Sequence, residues 1–166
     1  MTKILLKNVR LSFPSLFQRS VFDGKEGKYE ATLLIDKKDQ KTINELREIS
    51  NLLMEKAKIK IPKDKHCIKD GDDSDVEGYA GNYSFKAANI KRPTVIDRDK
   101  TPLTADDEKI YPGCYVNAVV EFWIQNNAYG KRLNANLHGV QFVKDGEAFG
   151  IGSVDVTDNF DDLDDL

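Results

Sequence analysis

Apolar and polar residues alternate along several stretches of the chain, and this period of two is typical of strands that bury one face. The first stretch covers residues 4–13 and ends at Pro14, and the second covers residues 29–35. Alternation returns over residues 83–90, and residues 94–97 are compatible with a short additional strand. These stretches predict a protein built mainly from β-strands.

The clearest pattern is a long β-hairpin in the second half of the chain. Every second residue from 116 to 124 is apolar, residues 126–131 supply Asn and Gly for a turn, and residues 132–138 alternate again. We expect the apolar side to face the core, with Val116, Ala118, Val120, Phe122, Leu133, Ala135 and Leu137. The opposite side then shows Asn117, Trp123, Arg132, Asn134, Asn136 and His138.

After Asp39 the apolar residues recur at three- and four-residue steps until Pro62, which predicts one amphipathic helix of about four to five turns. We interpret residues 63–82 and 98–109 as loops. About six or seven strands, with the helix inserted between strands 2 and 3, favour an OB-like (oligonucleotide-binding) small β-barrel over residues 1–154. Strand spacing alone leaves a β-sandwich open as the alternative.

The formal net charge of −3 is the sum of two regions with opposite net charge. The last twelve residues hold six aspartates and no basic residue, so that the first 154 residues keep 25 basic and 22 acidic residues, a net charge of +3. Within them, residues 1–69 carry 16 basic against 9 acidic residues. A basic body with an acidic tail points to electrostatic partners.

The acidic tail, residues 155–166, contains apolar residues at every third position from Phe160 onward, separated by aspartate pairs. So few apolar groups amid so much charge do not fold alone, but they can dock in a basic, apolar pocket of a partner protein. We therefore predict a disordered tail that binds partners through Phe160, Asp161, Asp162, Leu163, Asp164, Asp165 and Leu166. The simpler interpretation is a solubilising end.

The outward side of the hairpin has the residues that a binder of single-stranded nucleic acid needs. Such a protein stacks bases on aromatic faces and follows the phosphates with cations. The candidate nucleic-acid-binding residues are Arg10, Lys86, Lys91, Arg92, Trp123, Tyr129, Lys131, Arg132 and Asn134. The alternative for Trp123 is that it packs beneath a loop.

Catalytic and metal-binding motifs are missing from the sequence. We find no GxSxG, P-loop or HExxH pattern. The acidic run that starts at Asp70 fails as a calcium loop, because Asp75 and Gly81 stand where Gly and Glu are required. Cys67 and Cys114 are far apart, which favours a reducing cytoplasm. We expect no cofactor, no metal, no enzymatic activity and no membrane span.

Several motifs resemble a family of phage single-stranded-DNA-binding proteins. The resemblance rests on NVRLSFPSLF at residues 8–17, the strand at residues 29–35, DGD at residues 70–72, YPGCYV at residues 111–116, NLHGVQFV at residues 136–143 and the acidic C-terminus. It implies an OB fold that binds single-stranded DNA in replication or recombination, in the host cytoplasm. It further implies that the tail recruits replication or recombination proteins.

Two other functions stay open on the sequence. A phage nuclease could hold magnesium with Asp70, Asp72 and Glu121, and a virion or scaffold component would bind no oligonucleotide. The sequence also leaves open whether the chain forms a homodimer.

Overall fold

The computed structural model describes residues 3–149 and 157–165. The first half contains β1 (Lys3–Ser15), β2 (Val21–Phe22), β3 (Lys25–Glu26), β4 (Tyr29–Asp36) and α1 (Gln40–Ala57). The second half contains β5 (Ile68–Asp70), β6 (Asn82–Asn89), β7 (Thr94–Ile96), β8 (Tyr115–Asn127) and β9 (Gly130–Lys144). The described residues are mainly β with one α-helix, as the alternation and the three- and four-residue period after Asp39 predict.

Five strands close into a barrel. β1 pairs antiparallel with β4 and β8, β4 pairs with β6, and β8 pairs with β9. The ring closes where β6 meets β9 in parallel at Ala88 and Asn136. β5 adds to the free side of β6, and β7 pairs in parallel with β9. This closed five-stranded barrel with a single helix confirms the predicted OB-like fold, and the sandwich alternative is wrong.

The core lies inside the barrel and is sealed at one side by α1. Phe85 and Phe122 form its aromatic centre, with ring centroids 5.4 Å apart. Every hairpin residue predicted to face the core is at most 5% exposed. α1 covers the core with Ile43 and Leu46, and it begins at Asp39, whose side chain accepts a hydrogen bond from the backbone N–H of Thr42. The helix prediction is therefore confirmed.

The strict alternation expected for the first strand is interrupted by an irregularity in β1. The register against β8 shifts between Leu6 and Val9, where Asn8 adopts φ +53° and its N–H donates to Oδ1 of Asn117. Consequently Leu5 is 52% exposed although Val9 is buried. Phe13, at φ +45°, is 64% exposed.

The segment predicted as a loop over residues 63–82 contains β5, and the loop after the first strand contains the small β2–β3 hairpin. β5 is only three residues long, and its register against β6 runs from Ile68 opposite Phe85 to Asp70 opposite Tyr83. Three residues are too few to show alternation, which is why the pattern missed this strand. The helix lies between β4 and β5, so β6 is the strand that the sequence predicted as the third.

The chain leaves the barrel through a segment that is held on the outside of β1. The Arg10 guanidinium donates to the backbone oxygens of Gly113 and Glu147, and it lies 4.0 Å from the centroid of the Phe149 ring. The backbone N–H of Phe149 donates to the oxygen of Pro112. Gly78 lies against this ring at φ +83°, a backbone conformation that favours glycine, and a Cβ at this position would lie 2.2 Å from the nearest ring carbon.

The described part of the tail consists of two isolated turns of 3₁₀ helix, at Thr157–Asn159 and Leu163–Asp165. The side chains of residues 157–164 are exposed. Asp155, Val156 and Leu166 lie outside the described residues, as does the predicted boundary at residue 154, which stays a prediction. In residues 3–149 and 157–165 no helix combines the length and the apolar character that a membrane crossing requires.

A lysine clamp organises the acidic segment after β5. Lys37 Nζ lies 2.7 Å from Oδ1 of Asp70 and 2.6 Å from Oδ2 of Asp72. Asp72 also accepts a hydrogen bond from the backbone N–H of Gly81. The hydrogen bonds from Lys37 hold the pKa of both aspartates below the ordinary value, and the two carboxylates raise the pKa of Lys37. Both aspartates therefore already form ion pairs with a lysine of the same chain, Lys37.

We predict that Lys37→Met raises the pKa of Asp70 and Asp72 and removes the acid sensitivity that this clamp contributes. A carboxyl whose pKa is lower in the folded state stabilises the fold above its unfolded pKa, and this contribution disappears as the pH falls through the folded pKa. Carboxyl-carbon NMR titration and urea unfolding at several pH values measure the two effects. The neighbouring Lys38→Met variant is the control and should titrate like the wild type.

Candidate nucleic-acid interface

A groove runs along the barrel where β6 approaches β9. It is a concavity of about 360 Å³, and we call it the β6–β9 groove. Its side-chain lining combines cations, an indole and amides: Lys28, Lys65, Lys69, Lys86, Trp123, Arg132, Asn134 and Asn136. Asp64 and His66 also border it. The groove therefore presents five cations against one carboxylate.

The β8–β9 hairpin forms one wall of the groove, and this wall carries the indole and the amide side chains. Trp123 on β8 stands opposite Asn134 on β9, and Gln125 stands opposite Arg132. The Asn134 amide donates to Oε1 of Gln125 at 3.1 Å, which holds the two amides together. Trp123 is half-buried and Arg132 is exposed. Because neighbouring residues on a strand point to opposite faces, the burial of Phe122 and Leu133 puts these polar groups on the outside.

The segment between α1 and β5 forms the floor between the two strands. The backbone N–H of Cys67 donates to the oxygen of Leu133 on β9, and the N–H of Lys86 on β6 donates to the oxygen of Cys67. This segment therefore bridges the two strands where they do not pair directly. Burial raises the pKa of the Cys67 thiol to about 12, so the thiol stays protonated and unreactive at neutral pH.

The cations of the groove are available to a polyanion. Lys86 is 64% exposed, and its ion pair with Glu30 has an Nζ–Oε2 distance of 3.6 Å. An exposed ion pair of this kind contributes little to stability, so Lys86 can readily exchange Glu30 for a phosphate. Lys28, Lys69 and Arg132 are exposed as well. A strand lying in the groove would thus meet cations on both walls and on the floor.

Sequence reasoning found four of these lining residues and missed three cations. Lys86, Trp123, Arg132 and Asn134 were predicted, and the structure brings them into one concavity. Lys28, Lys65 and Lys69 were not predicted. The excess of basic residues in residues 1–69 is the signal that includes them, but only the fold shows which of these residues meet the hairpin.

The other predicted contacts lie outside the groove lining. Tyr129 is 89% exposed at the tip of the β8–β9 hairpin, beside the exposed Lys131. Lys91 and Arg92 follow β6, where Arg92 donates to the backbone oxygen of Phe17 and lies 6.0 Å from the Tyr29 ring centroid. These four residues stay predictions. Arg10 also stays one, although its guanidinium is already held by the backbone oxygens of Gly113 and Glu147.

The three carboxylates considered for magnesium do not form a site. Asp70 and Asp72 hold Lys37, and Glu121 lies 3.1 Å from Nε2 of His138 on the outside of the hairpin. Across residues 3–149 and 157–165 the structure contains no group of three or more His, Cys, Asp or Glu side chains that could hold a metal ion.

A family model described as Enterobacter phage Enc34, ssDNA-binding protein, matches residues 2–166 of the chain. Protein p50 of Acyrthosiphon pisum secondary endosymbiont phage 1 is 44% identical over 173 residues, covering 97% of this chain and 94% of that protein. Both matches extend over nearly the whole sequence.

Solved structures agree with the family match. The single-stranded DNA-binding protein from bacteriophage Enc34 in complex with ssDNA is 36% identical, with a TM-score of 0.82 over 89% of each chain. Another structure of the Enc34 protein has a TM-score of 0.79 over 96% of this chain and 90% of its own. The single-stranded DNA-binding protein of bacteriophage T7, at 16% identity and a TM-score of 0.65, shares the fold. The chain belongs to the Enc34 family of phage ssDNA-binding proteins.

Proposed function

We propose that this protein binds single-stranded DNA without sequence preference and that the strand lies in the β6–β9 groove. The observation that carries the proposal is the half-buried indole of Trp123 among five groove cations. The similarity to the Enc34 protein, which was solved in complex with ssDNA, supports it. Because that family consists of DNA-binding proteins and not of enzymes, the nuclease alternative is excluded.

The groove can bind a strand through two kinds of contact. Lysine and arginine side chains replace the counterions of the phosphates, and the release of these ions drives binding. An indole face stacks on a base of any identity, because every base has a π-face. The amides of Asn134 and Asn136 can donate hydrogen bonds to any base edge or accept them from it, so they strengthen binding without selecting a base sequence.

We further propose that the protein acts in phage replication or recombination and that the acidic tail recruits partner proteins. Phe160 and Leu163 are each 75% exposed, which leaves them available to a partner. Apolar side chains flanked by aspartates suit a pocket with an apolar floor and a basic rim. Pull-down of the phage or host replication proteins with the full-length chain and with a Phe160→Ala, Leu163→Ala variant tests this role. Equal capture by both would contradict it.

Replacing Trp123 by Ala should weaken single-strand binding by about 1 to 3 kcal/mol, the value of one stacked base, which is about 5- to 150-fold in affinity. Trp123→Phe keeps an aromatic face and should recover most of the affinity. Fluorescence anisotropy with a labelled oligothymidylate measures binding, and circular dichroism checks the fold. If the Ala variant binds like the wild type, Trp123 does not stack on the DNA.

Neutralising a groove cation should reduce the salt dependence of binding. Lys69→Gln and Arg132→Gln should each lower the slope of log affinity against log salt by about 0.7 for each phosphate that the variant no longer neutralises. Lys41→Gln, on the exposed first turn of α1, removes the same charge away from the groove and should leave the slope unchanged. Anisotropy titrations at four salt concentrations give the slopes. Identical slopes in all proteins would place the strand elsewhere.

Deleting residues 155–166 should tighten single-strand binding at low salt, because the deletion removes six aspartates that compete with the phosphates. The difference should shrink as salt screens the competition. Titrations of the full-length and truncated proteins at two ionic strengths measure it, with thermal unfolding as the check on the fold. Equal affinity at low salt would leave the tail without a competitive role.

A further inference from the structure

The β2–β3 hairpin forms a small arm outside the barrel, and we call residues 20–28 the arm. β2 and β3 form a two-stranded sheet of their own. Asp23 and Gly24 make its turn with φ values of +52° and +73°, and positive φ at both turn residues is typical of a tight two-residue hairpin. At the base of the arm the N–H of Ser20 donates to the backbone oxygen of Lys28 at 2.9 Å. The arm therefore has a defined shape before it meets any ligand.

The arm presents apolar side chains to solvent. Phe22 is 87% exposed and Val21 is 68% exposed. Phe22 stands directly opposite Lys25, so the ring and the ammonium group lie on the same face of the arm. Because a buried phenylalanine contributes strongly to an interface, this exposed ring suits docking in an apolar pocket of another molecule.

A concavity larger than the β6–β9 groove lies between α1 and the segment that carries β5, and we call it the helix cavity. Its volume is about 970 Å³, at the upper end of the range of ligand pockets, about 300 to 1,000 Å³, so it can admit the tip of a hairpin. Charged residues of both signs line it, among them Arg47 and Asp73. The DNA-binding proposal does not use this cavity. Its apolar lining comes from the helix, from the strands β4 to β6 and from the segment between β5 and β6: Ile35, Ile43, Leu46, Ile68, Tyr79 and Tyr83.

The arm and the helix cavity lie at opposite ends of the β6–β9 groove. At one end Lys28, which lines the groove, comes two residues before Glu30, and Glu30 pairs with Ala88 of β6. At the other end Lys69, which lines both the groove and the helix cavity, pairs with Ser84 of β6. Ala88 and Ser84 are four residues apart, about 13 Å along the strand. A DNA strand that follows the groove therefore passes from the arm to the cavity.

We propose that the arm of one molecule docks in the helix cavity of the next molecule along the same DNA strand, with Phe22 against the apolar lining. The contact joins two different surfaces, so it does not close into a dimer and can repeat along the strand. The inference rests on the DNA-binding function proposed above, because the strand is what brings the two molecules together.

Charge complementarity supports a second copy of the chain as the occupant. Lys25, on the same face of the arm as Phe22, can approach Asp73 at the cavity, and Asp23 at the turn can approach Arg47. Neighbours on one strand hold the arm at a high effective concentration near the cavity, so a contact too weak to form in free solution suffices. The consequence is cooperative binding, in which a molecule binds more tightly beside an occupied site than alone.

Two oligothymidylates separate this contact from DNA binding itself. The shorter one is the shortest that holds one protein in a titration, and the longer one has twice that length. The wild type should gain affinity at the second site of the longer strand. Phe22→Ala should reduce this gain by about tenfold or more, the factor that burying one phenylalanine contributes, and should leave the one-site affinity unchanged. Leu5→Ala removes another exposed apolar side chain, on β1, and as the control should keep the gain.

A second variant tests the contact from the side of the cavity. Asn51→Trp, at an exposed helix position that lines the cavity, should fill it and abolish the gain as well. In an equimolar mixture of Phe22→Ala and Asn51→Trp proteins, the intact arm of the second can still enter the intact cavity of the first. The mixture should therefore regain part of the cooperativity that neither variant shows alone.

The outcomes distinguish this inference from the proposed function. A lower one-site affinity of Phe22→Ala would place the ring on the DNA and overturn the docking proposal. An equal gain in the wild type and both variants, no gain in the wild type, or no recovery in the mixture would also overturn it and leave the DNA-binding function intact. A wild type that binds neither oligonucleotide would contradict the proposed function, and this inference with it.

Discussion

The closure of the barrel between β6 and β9 produces the groove in which we propose that the DNA strand lies. β1, β4, β6 and β8 pair with their antiparallel neighbours along most of their length, but β6 and β9 meet at a single parallel pair, Ala88 with Asn136. Ala88 with Asn136 is the only β6–β9 pair in the described residues, and residue 67 bridges the two strands through two backbone hydrogen bonds. The groove is the consequence of this incomplete pairing: its two walls belong to the barrel, and its floor is the segment between α1 and β5 that bridges them.

The core and the hairpin wall of the groove depend on each other through the pairing of β8 with β9. Phe122 and Leu133 are at most 1% exposed, and they fix the register in which Trp123 and Arg132 point outward. A slip of one residue between β8 and β9 would exchange the two faces, burying Arg132 and exposing the core. The buried side chains of Phe122 and Leu133 therefore determine where Arg132 and the indole of Trp123 lie in the groove.

Alternation along the strands was enough to predict the hairpin, the OB-like class and the outward side of the groove with Trp123, Arg132 and Asn134, and the three- and four-residue steps after Asp39 predicted the helix. It was not enough to find Lys65 and Lys69. These lysines lie on a segment with a three-residue strand and no period. Its pairing with β6 and its backbone contacts with Leu133 bring it to the hairpin, and the sequence pattern shows neither. The exposed Leu5 was missed for a different reason, because the irregularity at Asn8 depends on a hydrogen bond to a residue more than a hundred positions away.

Net charge is a poor guide to the ligand of this protein, because electrostatic attraction acts locally. In physiological salt the interaction between exposed charges decays over about 8 Å, so a phosphate in the groove responds to the nearby cations and hardly to distant carboxylates. Six aspartates of the tail account for the negative total. A chain with a charge of −3 can therefore bind a polyanion wherever its fold gathers cations into one groove.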